Sequence, residues 1–186
     1  MLKQIIDNSC TDKNTVHSYL ELYELILRHK KFTASDVLEI GKQNNCGSIK
    51  MWHEYFLSAN VFALYSAKEN EVHNDIKNKE RIKIYNDIDP YDLNFFYKNF
   101  SNNKFDLVLD DGPHTLNSMI AFITLYSKVL KTDGILIIED IQSWDWVDFL
   151  KKVVPDELKQ FVFVFDLRAN KNRYDDIVFV INKNWT

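Results

Sequence analysis

Seven short apolar runs, most of them separated by stretches of helical period, constrain this chain more than any other feature. The runs are Asp36–Ile40, Asn60–Tyr65, Arg81–Tyr85, Phe105–Leu109, Gly134–Ile138, Gln160–Phe165 and Asp176–Ile181. Several are apolar almost throughout, as expected of strands buried on both faces of a parallel sheet. Ahead of them, Thr15–His29 carries Leu20, Tyr23 and Leu27 on one face; Ser48–Phe56, Thr115–Leu130 and Asp145–Val153 follow the first, fourth and fifth runs. This alternation predicts right-handed βαβ units in an open sheet. The last two runs are joined by Asp166–Asp175, which has no apolar helical face, so they are expected to pair antiparallel. The predicted fold is α/β: a seven-stranded, mostly parallel sheet with an antiparallel last strand and helices on both faces.

Four glycines and three prolines in 186 residues leave no stretch for an interdomain linker. A single domain is expected, with a helical N-terminal segment, 1–32, ahead of the core, 33–186. The net charge of −4 argues against a general electrostatic grip on nucleic acid or an anionic membrane. Cys10 and Cys46 are too few for a disulfide framework, and no apolar run approaches the roughly 18 residues of a membrane span. Met1–Lys13 is too polar for a signal peptide, and a cytoplasmic protein is expected.

In sheets of this kind ligands bind beyond the carboxyl ends of the strands, where strand order reverses. After the first run comes Glu39-Ile40-Gly41, then Gly47-Ser48 opening a helix whose amides can face an anionic group. Glycines there also serve as plain turn residues. The fourth run ends in Asp110-Asp111-Gly112-Pro113-His114 and the fifth in Glu139-Asp140. On neighbouring strands about 5 Å apart, these acids converge. Close carboxylates repel unless a cation neutralises them, and oxygen ligands suit magnesium, manganese or calcium better than zinc. Helix capping is the other use such acids find.

The residues Thr11-Asp12-Lys13, His17 and Tyr19, Val37–Gly41, Gly47–Trp52 and Tyr55-Phe56 resemble the macrocin/mycinamicin-type sugar O-methyltransferases, some of whose relatives are labelled cephalosporin hydroxylases. Asp110–His114 is similar to that family's D-D-G-S-H and Ile138–Ile141 to its E-D-L, and the likeness spans roughly residues 10–145. It implies a Rossmann-like class I methyltransferase fold, S-adenosylmethionine as cofactor and a magnesium-like divalent cation. By the same resemblance, Asp111, Glu139 and Asp140 hold the metal and His114 is the general base. Glu39, Gly41, Gly47, Ser48, Tyr65, Asp87 and Asp110 face the cofactor, with Lys13 and His17 closing over it. The acceptor is a small molecule or glycan, not nucleic acid or membrane. So short a chain leaves room for an acceptor lid from another subunit of a homo-oligomer.

One departure stands out. The second run ends Ala63-Leu64-Tyr65-Ser66, with Tyr65 where the family's ribose-binding acid is expected; Glu69 is a possible substitute. A phenol makes one ribose hydrogen bond where a carboxylate accepts two. This keeps a second class of function open, a catalytically degenerate relative acting as a binding or assembly subunit. Trp144 and Trp146 suit either a sugar platform or core packing, and Leu167–Tyr174 either an anion contact or a solvated turn.

Overall fold

The computed structural model describes residues 1–41, 46–66 and 74–185. Its strands are β1 (Asp36–Gly41), β2 (Asn60–Tyr65), β3 (Ile82–Tyr85), β4 (Phe105–Asp110), β5 (Leu130–Ile138), β6 (Val162–Asp166) and β7 (Ile177–Asn182). They form one sheet in the order β3-β2-β1-β4-β5-β7-β6. β7 runs antiparallel to both β5 and β6, and the other pairings are parallel. The expected closing hairpin is present. The chain winds outward from β1 through β2 to β3 and then crosses to β4, so the order reverses between β1 and β4.

The helices are α1 (Leu2–Ile5), α2 (Tyr19–Leu27), α3 (Cys46–Tyr55), α4 (Asn74–Lys77), α5 (Leu93–Asn99), α6 (Leu116–Tyr126), α7 (Trp146–Val153) and α8 (Arg168–Lys171). The helix expected over Thr15–His29 begins only at Tyr19. Ahead of it the amides of Thr15, Val16 and His17 all bond the Asp12 carbonyl, winding the segment into turns. α5 was not foreseen: it is seven residues long and buries only Phe96, too little for a periodic signal. Asp92 caps it, accepting from the Phe95 amide at 2.7 Å.

Strand alternation divides the core into two layers. Val61, Ala63 and Tyr65 of β2 face one with Tyr23 and Trp52; Phe62 and Leu64 face the other with Phe96, Phe122 and Leu150. Trp146 packs against the second layer, while Trp144 is exposed, its ring under Arg168 at 5.6 Å. The segment ahead of α2 lies on α3, where Gly47 donates its amide to the Cys10 carbonyl at 3.2 Å. A Cβ on Gly47 would sit 2.6 Å from that oxygen, so only glycine permits the approach. At the other end Lys30 is buried against Asp106 at 3.2 Å and Asp133 at 2.5 Å. Among the described residues no helix is long and apolar enough to cross a membrane.

Candidate active site

The carboxyl ends of β1, β4 and β5 deliver acids to one buried volume. Asp110 pairs with Ile138 across β4 and β5, which sets Asp111 beside Glu139 at the next step. Just beyond the strands, His114 and Asp140 adopt φ of 53° and 56°, the left-handed region that non-glycine residues seldom occupy. These turns aim their side chains at each other. His114 Nε2 lies 3.2 Å from Asp140 Oδ2 and 3.5 Å from Asp111 Oδ1. One donor atom from each of Asp111, His114 and Asp140 falls within 4.8 Å of the others.

Residues from the N-terminal segment and α2 surround these acids. The Lys13 ammonium, fully buried, lies 2.8 Å from Asp111 Oδ2 and also pairs with Glu139. Tyr23 donates to the other oxygen of Glu139, and Tyr19 to Asp140. His17 Nδ1 sits 2.5 Å from Asp176 Oδ1 and 3.3 Å from Asp140 Oδ1. Behind them Glu39 accepts hydrogen bonds from Ser48 Oγ at 2.5 Å and from Trp52 Nε1.

Positive charge is scarce here. Burial alone would drive Lys13 down, but the carboxylates of Asp111, Glu139 and Glu39 outweigh it and hold the ammonium well above its ordinary value. One ammonium does not balance the acids. Burial pushes the Glu139 carboxyl well up, against the attraction of Lys13 and with the repulsion of Asp111 and Asp140. Asp140 rises to about 6 through burial and the Asp111 charge, despite His17. Asp110 rises to about 7 through burial, which outweighs the hydrogen bond from Tyr91. A buried carboxylate cluster this short of counter-charge suits a divalent cation.

Two clefts border this centre, and Pro113 lines both. The first, about 580 Å³, is lined by Ile40, Gly41, Ser66, Ile88, Tyr91 and Gly112. The second, about 320 Å³, is polar, with His17, His114, Asp140, Gln142, Arg173 and Tyr174 among its walls. The first has the largely apolar lining and size of a small-molecule site; the second carries Asp140 with both His17 and His114.

Most of the expected site residues converge here, though not all face a cleft. Gly41 lines the first cleft, and Asp110 stands behind it, accepting from Tyr91 Oη at 2.5 Å and the Gly112 amide at 3.2 Å. Lys13, Glu39 and Ser48 lie beneath the surface, and Gly47 packs on Cys10. His17 opens on the polar cleft. Asp87 is exposed and apart from both clefts, while its neighbours Ile88–Tyr91 form the first one's wall. Residues 42–45 of the glycine turn, Glu69 and His73 lie outside the described residues. Sequence reasoning missed Tyr23, Tyr91 and Asp176. An aromatic in a helical face or a turn, or an acid at the start of a strand, carries no local sign of a polar partner far along the chain.

Tyr65 belongs to the core layer of Tyr23 and Trp52, and its ring packs on Gly41, where a Cβ would lie 2.9 Å from a ring carbon. Ser66, one residue on, lines the first cleft. Tyr65→Asp is therefore expected to bury a further carboxylate beside Glu39 and Asp111, in a place already short of positive charge, and to destabilise the fold by about 3–5 kcal/mol. A thermal melt with and without adenosylmethionine checks this. An intact melt with tighter cofactor binding would return the residue to the ribose pocket.

No protein-family model matches the chain. Among curated proteins it is similar to the 8-demethyl-8-alpha-L-rhamnosyl tetracenomycin-C 2'-O-methyltransferase of Streptomyces olivaceus, 28% identical over 151 residues. That match covers 75% of this chain and 37% of the relative. Among solved structures it is similar to the MycE methyltransferase of the mycinamycin biosynthetic pathway in complex with Mg, SAH and mycinamycin VI. That likeness has a TM-score of 0.75 at 19% identity, covering 97% of this chain and 54% of that one. The O-methyltransferase from Bacillus cereus in complex with SAH aligns with a TM-score of 0.60 at 17% identity over 95% of this chain and 86% of that one. The chain thus has the class I methyltransferase fold, and it spans about half or less of the length of the sugar-pathway relatives.

Proposed function

We infer that this chain is a macrocin/mycinamicin-type sugar O-methyltransferase, moving the methyl group of S-adenosylmethionine to a hydroxyl of a sugar or glycan-like acceptor. The observation that carries this reading is that Pro113 lines both clefts, while His114 and Asp140, which group with the buried Asp111, line the second. The first cleft, beyond β1, β2 and β4 and so across the β1–β4 point where strand order reverses, suits an adenosyl group. The second suits a hydroxylated acceptor. The relatives' printed names, a rhamnosyl 2'-O-methyltransferase and a complex with Mg and SAH, support a sugar acceptor and a metal.

Asp111 and Asp140 fit a magnesium-like ion by their oxygen chemistry and by the shortage of positive charge around them. Glu139, held by Lys13 and Tyr23, stands behind as the third acid of the set. When bound, the cation lowers the pKa of a chelated acceptor hydroxyl. His114 accepts that hydroxyl's proton at Nε2, the nitrogen turned towards Asp140 and Asp111. Burial of the centre excludes water, and the adjoining clefts set the oxygen in line with the methyl group, which supplies much of the acceleration.

Calorimetric titration of adenosylmethionine with and without magnesium tests the reading. Binding is expected, and chelator is expected to abolish methyl transfer to a panel of deoxysugar glycosides. Asp111→Asn should weaken magnesium binding by about tenfold or more, since one of two facing carboxylates loses its charge. Full turnover in chelator would remove the metal. No binding at millimolar cofactor and saturating magnesium would leave the chain a binding or assembly subunit.

A further inference from the structure

The polar cleft has a second wall, supplied by the connection between β6 and β7, to which the proposed chemistry assigns nothing. Asn172, at φ 54°, closes α8 in the left-handed conformation, and the next three residues, Arg173, Tyr174 and Asp175, line the cleft that holds His114 and Asp140. Tyr174 is 61% exposed, yet its ring is tied down. Its hydroxyl donates to Gln142 Oε1 at 2.8 Å, and Gln142 Nε2 donates to the Asp140 carbonyl at 2.8 Å. The Arg173 guanidinium lies over the ring, 5.8 Å from its centroid. The aromatic wall is thus linked through one side chain to the residue whose carboxylate faces His114.

A pyranose ring offers an apolar C–H face rimmed by hydroxyls, and a fixed phenol ring matches that face. The cleft's volume of about 320 Å³ fits a monosaccharide. Arg173 already pairs with Asp175 at 2.9 Å, so its charge is spoken for within the cleft and a phosphate would have to break that pair. We propose that Tyr174 is the platform on which the acceptor's uncharged sugar ring stacks, and that Gln142 is its positioning residue. This rests on the polar cleft being the acceptor site.

The probe is methyl α-L-rhamnopyranoside, titrated by saturation-transfer NMR at up to tens of millimolar, with S-adenosylhomocysteine binding measured in parallel by calorimetry. Wild-type protein is expected to bind the glycoside, and Tyr174→Ala to weaken it about tenfold or more. Tyr174→Phe, which keeps the ring, should fall between the two, as should Gln142→Ala. Melting temperatures and S-adenosylhomocysteine affinity should not move, because the ring is exposed and lies outside the first cleft. The proposal is overturned if Tyr174→Ala binds the glycoside as wild type does, or if wild type does not bind it. Loss of S-adenosylhomocysteine binding in every variant, wild type included, would instead sink the methyltransferase reading, whatever the glycoside does.

Discussion

Replacing His114 by alanine is expected to lower methyl transfer about 10²–10⁴-fold, the usual contribution of a positioned proton acceptor. The acceptor hydroxyl would keep its place but lose the nitrogen that takes its proton. Cofactor binding should be nearly unchanged, since His114 lines the polar cleft and not the first one. The backbone at 114 sits at positive φ, so alanine also carries some of the strain that histidine tolerates there. His114→Asn, a residue at ease in that conformation, separates the two effects: it should keep the fold and still lose turnover. Wild-type rates in both variants would remove His114 from the chemistry.

The second large effect concerns stability. Lys13→Met should destabilise the metal-free protein by about 3–5 kcal/mol, the cost of leaving buried carboxylates without their partner. For a domain of this size that is a fall in Tm of roughly 6–20 °C. Asp111 and Glu139 both face the ammonium, and Glu39 also feels its charge, so its loss leaves three acids mutually exposed. Magnesium should restore part of the lost Tm, more in the variant than in wild type, because a bound cation supplies the missing charge to the folded state alone. An unchanged melt would show that the Lys13 charge is not what stabilises the acid cluster.

Much of this was legible along the chain. The seven strands and the closing hairpin follow from period and run length, which are local properties, and the preference of ligands for the carboxyl ends of such strands told where to look. The acids at the ends of β4 and β5 could be found because strand ends in a parallel pair share one edge of the sheet. α5 escaped because seven residues with one buried side chain make no pattern.

By itself, then, the sequence determined the layered α/β sheet, the edge on which a site would form, and the presence of Asp111, His114, Glu139 and Asp140 along it. Tertiary structure alone decided their partners. Lys13 meets Asp111 across 98 residues, and His17 meets Asp176 across 159, both through the turns that the Asp12 carbonyl organises ahead of α2. It also decided that Tyr65 turns into the core while Ser66 reaches the cleft, and that Tyr174 faces His114's cleft from the far edge of the sheet. The physical reason is range. Hydrophobic periodicity is written in neighbouring residues, whereas charge pairing and cleft lining depend on which distant segments packing brings within a few ångströms.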